Sequence, residues 1–157
     1  MPLIQLETLI NARLSDCFDA SRNIDIHTQS MAHSGEKAVA GRTSGLISLN
    51  ETVTWRARHL GIWWHLTSQI TQMDPPYSFT DEMIRGPFKK MKHKHLFIAQ
   101  RANILMIDEF EYESPLGVLG KLADLLFLKR YMRNLLTNRN ACLKVHAEGL
   151  VSSYSHK

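Results

Sequence analysis

LGVLGKLADLLFLKRYMRNLLTNRNACLKV, residues 116–145, decides the fold. It follows Pro115, whose fixed φ and missing N–H suit the edge of a helix. Leu119, Leu122, Leu125, Leu126, Leu128, Met132, Leu135, Leu136 and Leu143 recur at spacings of mostly three and four. That spacing predicts an apolar stripe on a helix of about eight turns. Lys121, Lys129, Arg130, Arg133 and Lys144 fall between these positions, on the side expected to face water. Most of the chain from Asn50 to Glu113 reads instead as strand, so the long helix must find its cover on a sheet.

Working back to the start, Leu3 to Ala12 alternates with Ile4, Leu6 and Ile10 on one side and reads as a first strand. Ser15 and Asp16 offer N-cap oxygens for a short helix to Ser21, anchored by Cys17 and Phe18. Ile24 to His33 reads as a second short helix ended by Ser34-Gly35. Lys37 to Asn50 reads as a loop followed by a short strand turning at Asn50-Glu51. Strands follow at Thr52–Leu60, Ile62–Met73, Tyr77–Ile84, Phe88–Ala99 and Ile104–Glu113, with Asp74-Pro75-Pro76 and Gly86-Pro87 as stops between them. The short connections imply antiparallel hairpins. The expected architecture is α+β: a curved antiparallel sheet of about seven strands wrapped around a long C-terminal helix, with two short helices after strand 1. Residues 1–148 form one domain, and 149–157 read as a polar tail. One helix covers only part of so wide a sheet, and curvature then leaves a cavity between them, where small ligands tend to sit.

The chain has 157 residues, an apolar fraction of 44% and a charged fraction of 22%, values of an ordinary globular domain. Its formal charge of +4 falls short of a dedicated nucleic-acid binder. Cys17 and Cys142 match no metal-ligand spacing and give no disulfide framework, so buried reduced thiols are expected. The amino terminus lacks a basic n-region, and no apolar run approaches the roughly 18 residues of a membrane span. The expectation is a cytoplasmic protein without stable membrane insertion.

Pairing the hairpins places Asp81 opposite His93 and His95 opposite Asp108. Alternation puts Tyr77, Phe79, Asp81 and Met83 on one face with Met91, His93, His95 and Phe97, and with Met106, Asp108, Phe110 and Tyr112. Three readings of the two carboxylates and two imidazoles are open: cross-strand pairs that fix register, the polar handles of a ligand pocket, or a metal or acid–base site. His-x-His on a strand is too unspecific a spacing to assign a metal or cofactor, and none is assigned. Lys90, Lys92 and Lys94 alternate with the inner residues and are expected outside, joined by Arg56 and Arg58. Trp63 and Trp64 are adjacent, so one of them faces outward. No phosphate loop, nucleophile elbow or zinc spacing is present.

Three strings, TSGLISLNETVTWRARHLG (43–61), FTDEMIRGPFKKMKHKHLF (79–97) and LMIDEFEYESPLGVLGKLAD leading into LFLKRYMRNLL (105–136), carry a resemblance. The chain resembles the START / birch-pollen-allergen superfamily (SRPBCC, the helix-grip fold), and within it the small bacterial ligand-binding members. The likeness runs nearly end to end, departing at Met91, where relatives carry a tryptophan. It implies a deep, mostly apolar cavity between sheet and final helix, in a superfamily where some members are cyclases or dehydratases and many only bind. The expected function is binding or carrying a small hydrophobic molecule of lipid, polyketide or aromatic class, without catalysis. The implied lining is Trp55, Trp64 (or Trp63), Phe79, Met83, Met91, Phe97, Met106 and Phe110, with Leu128, Met132 and Leu135 from the helix. Asp81, His93, His95 and Asp108 would orient a polar group. The alternatives are a polyketide cyclase- or dehydratase-like enzyme using a His–Asp pair from these four as general acid/base, and a module that meets a protein or membrane through its outward tryptophan and basic face.

Overall fold

Alternating apolar and polar residues build the sheet, and they do so in unbroken hairpin order. The computed structural model describes residues 1–115 and 117–154, and the side chains of all of these except Lys121, Asp124, Leu125 and Tyr154. Leu116, where the long helix was expected to begin, and residues 155–157 of the expected tail lie outside the described residues. The strands are β1 (Leu3–Ile10), β2 (Lys37–Gly41), β3 (Thr52–His59), β4 (Ile62–Asp74), β5 (Ser78–Arg85), β6 (Lys90–Gln100) and β7 (Asn103–Glu113). They form one antiparallel sheet in the order β1-β7-β6-β5-β4-β3-β2, which makes β1 and β2 its edges. Each consecutive pair from β2 onward is a hairpin neighbour, and β1 closes on β7.

Two short helices, α1 (Leu14–Ser21) and α2 (Ile24–Ser30), follow β1, as expected. Helix α1 starts earlier than the Ser15/Asp16 cap predicted: Arg13 is its N-cap and makes no side-chain cap bond. Asp16 sits inside the first turn, where its charge suits the helix dipole, and pairs with Arg13 at 2.8 Å. Helix α2 is capped by the Asn23 side chain, which accepts from the N–H groups of Asp25 and Ile26.

The segment 37–50 reverses the expected order, with the strand first and the loop second. Ala38 and Ala40 pair with Trp55 and Thr54 across a bulge. Gly41 ends the strand at a φ of +72°, where a Cβ would lie 2.2 Å from the Thr52 carbonyl oxygen, so only glycine fits. Leu46–Leu49 does not join the sheet. Its backbone is satisfied at the α1–α2 junction, where Ile24 N–H donates to Gly45 and Ile47 N–H to Arg22.

The C-terminal helical region comprises α3 (Gly117–Ala123), a π-helical turn (Asp124–Leu128) and α4 (Lys129–Tyr154). Helix α4 passes through Gly149 to Tyr154, so residues 149–154 are helical rather than a loose tail. Leu135, Leu136, Arg139, Asn140, Leu143 and Ala147 form its buried stripe at helical spacing. Leu119, Leu122 and Leu126, expected in the same stripe, are exposed. A π turn takes up one extra residue and displaces the face by roughly 100°. The heptad-like leucines before it therefore point away from the sheet that receives those after it. None of the described helices is long and apolar enough to cross a membrane.

Two apolar clusters flank α4. One joins Cys17, Phe18, Ile24 and Ile26 of the short helices to Phe97, Met106, Leu143 and Ala147. The other joins Ile4, Met91, Phe110 and Tyr112 to Leu136, with Leu128 and Met132 against it. Between them the sheet curves away from the helix. Cys17 is buried, which pushes its thiol up to about 11. Cys142 is only half-buried, less covered than expected.

Candidate functional site

The register of β5, β6 and β7 sets Asp81 opposite His93 and His95 opposite Asp108, as the hairpin lengths require. All four side chains point inward, but the hydrogen bonds run diagonally rather than straight across. His93 Nε2 donates to Asp108 Oδ1 at 3.0 Å, and His95 Nε2 lies 3.3 Å from Asp81 Oδ1. His93 Nδ1 faces that same Asp81 oxygen at 4.0 Å. His95 Nδ1 lies 2.7 Å from Asp108 Oδ1, yet off the axis a hydrogen bond needs, so it makes a close contact without a bond. The two imidazoles sit 3.9 Å apart, with Phe79 stacked on His95 and Phe110 edge-on to His93.

Helix α4 completes the cluster with two residues that the strand reading misses. Arg139 Nη1 reaches Asp108 Oδ1 at 3.4 Å, and Arg139 Nη2 donates to the Ser21 carbonyl at 3.2 Å. Asn140 Nδ2 donates to Asp108 Oδ2 at 2.6 Å. Both side chains are buried. A signal for them existed: they stand one turn after Leu135 and Leu136 and one turn before Leu143 on the apolar stripe, where a polar side chain must find a buried partner.

Burial dominates the electrostatics, and partners then decide the sign. For His93, burial and the neighbouring His95 push its pKa down to about 4, against the opposing pull of Asp108 and Asp81. It is neutral at pH 7. Burial alone would raise Asp108. The His93 bond, the His95 contact and the Arg139 charge outweigh it and hold this carboxyl well below the usual range. Asp81 is likewise held low, because its His95 bond and the charges of His93, His95 and Arg139 together exceed its own desolvation.

The cluster forms part of the wall of a cavity of about 340 Å³ between the sheet and α4. Of the residues singled out from sequence, Trp55, Trp64, Phe79, Asp81, Met91, His93, His95, Phe110, Leu128, Met132 and Leu135 line it. Met83, Phe97, Met106 and Asp108 do not. Phe97 packs edge-on to Phe18 of α1, and Met106 takes a 3.5 Å contact from Ser21 Oγ, because the short helices fill the space over that end of the sheet. Asp108 stands behind the two imidazoles, and Met83 touches the position of Gly86 in the β5–β6 turn. Tyr77, expected inside, sits in the turn before β5 and is exposed.

A second polar group at the wall was also missed. His27 Nε2 meets Glu36 Oε1 at 2.5 Å and stacks on Trp55, and His59 Nδ1 bonds the Tyr131 hydroxyl at 2.8 Å. Burial lowers the pKa of His59. On the outer surface Trp63 lies under the Arg56 guanidinium at 4.4 Å. Lys90, Lys92 and Lys94 stand opposite Glu113, Glu111 and Glu109. The basic row is thus matched by an acidic one, which removes the concentrated positive field that an anionic surface would need.

No protein-family model matches the chain, and no curated protein matches it by sequence. Solved structures do superpose on it. TTHA0849 from Thermus thermophilus is 13% identical with a TM-score of 0.77, over 95% of this chain and 99% of that one. The major latex-like protein 151 of Panax ginseng is 15% identical with a TM-score of 0.67, over 93% of this chain and 97% of that one. A START superfamily protein from Mycobacterium smegmatis is 12% identical with a TM-score of 0.62, over 97% and 98%. The di-domain aromatase/cyclase StfQ of the steffimycin biosynthetic pathway is 13% identical with a TM-score of 0.75; the match spans 96% of this chain and 52% of that longer one. Identities this low speak for shape alone, and the shape agrees with the resemblance in the sequence: the chain has the helix-grip fold of the START and birch-pollen-allergen-like superfamily.

Proposed function

We propose that the protein binds a small, mainly hydrophobic molecule between the sheet and α4, its polar end turned to Asp81, His93 and His95. The observation that carries this reading is the composition of the wall. Aromatic, methionine and leucine side chains surround about 340 Å³, and polar side chains gather at a few places rather than being scattered. That volume lies at the lower end of the roughly 300–1,000 Å³ of ligand sites. The methionines Met91 and Met132 adapt to ligand shape at little cost. Acid–base catalysis at neutral pH is the weaker reading, since a histidine whose pKa lies near 4 is a poor proton acceptor there.

The test is native mass spectrometry of the protein as purified, followed by titration with anilinonaphthalene sulfonate as an apolar probe. A bound lipid-like or aromatic adduct, or saturable probe binding that Ala57→Trp abolishes in a folded variant, is the expected result. Ala57 is chosen because it is small, buried and part of the cavity wall. Probe binding that ignores the Ala57→Trp substitution, with no adduct present, would overturn the reading.

A further inference from the structure

We propose that Asp81, His93 and His95 form a binding site for a divalent first-row transition-metal ion, opening into the cavity. One ligand atom from each of the three lies within 4.8 Å of the other two. The atoms that converge are Asp81 Oδ1, His93 Nδ1 and His95 Nε2, with the carboxylate oxygen 4.0 Å from the first nitrogen and 3.3 Å from the second. Ligands bound at about 2.1 Å stand roughly 3.0–3.4 Å apart, so closure on an ion needs only sub-ångström to ångström shifts. Two imidazoles and one carboxylate are a donor set suited to Zn²⁺ or Fe²⁺, leaving positions for water or an anionic oxygen of a bound molecule.

The surroundings are those of a metal site rather than of a register pair. Both histidines turn their other ring nitrogen to a single carboxylate, Asp108, at 3.0 Å and 2.7 Å. A ligating imidazole characteristically donates its remote N–H to such a partner, which fixes its tautomer and aims its lone pair. On taking up an ion, His95 would exchange its Nε2–H bond to Asp81 for an Nδ1–H bond to Asp108, freeing the Nε2 lone pair to join that of His93 Nδ1 at the ion. A slight ring rotation would align the unbonded 2.7 Å contact of His95. Asp108 is itself held by Arg139 and Asn140. Two carboxylates, Asp81 and Asp108, face a single guanidinium, Arg139, and a cation held at Asp81 would offset the second carboxylate. The site stands whether or not the cavity takes an apolar ligand.

The experiment uses untagged protein stripped with a chelator and titrated with Co²⁺. One equivalent should bind, giving visible d–d absorption, and Zn²⁺ should displace it. Asp81→Asn and His93→Gln should abolish the signal, Asp108→Asn should weaken binding about 10–100-fold, and His59→Gln should leave it unchanged. Absence of stoichiometric Co²⁺ binding, or binding that persists in folded Asp81→Asn and His93→Gln variants, would overturn the site. If those variants do not fold, ¹⁵N spectra of the wild-type histidines decide. Zn²⁺ should shift His93 and His95 but not His59; unmoved His93 and His95 signals refute the proposal.

Discussion

His93 faces Asp81, Asp108, His95 and the edge of Phe110, with Arg139 behind Asp108, and this enclosure makes its charge state a stability determinant. In the unfolded chain its value is 6.5 and in the native protein about 4. Between these limits the unfolded chain binds a proton that the native state refuses. Stability is therefore full above pH 6.5 and falls as pH drops from 6.5 towards 4, by on the order of 3 kcal/mol over the window. Asp81 and Asp108, held below the ordinary 3.8, extend the loss to lower pH, because their contribution is present above that value and disappears as they protonate. Urea midpoints measured from about pH 7.5 to 4 should show this decline, and His93→Gln should flatten it. A flat wild-type profile would refute the buried neutral imidazole. At this scale the sequence is informative about opposition but not about bonding. Strand lengths and turns place Asp81 across from His93 and His95 across from Asp108, whereas the diagonal bonds depend on side-chain rotation in a packed interior.

Helix α4 shows what periodicity reveals and what it leaves open. Leucines at three- and four-residue spacing define a common face, but not whether anything covers that face. Leu143 is 2% exposed against α1 and the sheet, whereas Leu126, in the π turn, is 70% exposed. Leu143→Ala should cost about 2–5 kcal/mol through lost burial and a cavity, and Leu126→Ala should stay within about 0.5 kcal/mol. Urea unfolding of the two variants checks the contrast; equal losses would contradict the packing. The π turn has no clear sequence signature, because it arises from how α4 seats on the sheet and not from local propensity. The β2 reversal has the same origin. Val39 and its alanine neighbours are no stronger a strand signal than Leu46–Leu49, and the choice between them rests on which backbone finds partners on β3.

Over the whole molecule, stability should follow coverage. β6 and β7 lie inside the sheet with their inner face under α1 and α4, while Val118, Leu119, Leu122, Leu126 and Phe127 are all exposed on Gly117–Leu128. Amide hydrogen exchange should be slowest in Lys90–Gln100 and Asn103–Glu113, near the rate of global unfolding, and fastest among the helices in Gly117–Leu128. Uniform protection along the helical region would show that the exposed segment is held more firmly than its contacts indicate. The strand–helix order, the antiparallel hairpins, the long final helix and the inward face with its two imidazoles and two carboxylates were all determined by the sequence itself. Each rests on local periodicity, turn chemistry or chain reach, which are properties of neighbours along the chain. Only the tertiary structure decided that Arg139 and Asn140 close the cluster, that Phe97 and Met106 fill space where Trp55 and Met91 line it, and that three donor atoms converge beside Asp108. Those outcomes depend on the rotation of α4 and the curvature of the sheet, which are set by packing between residues far apart in the chain.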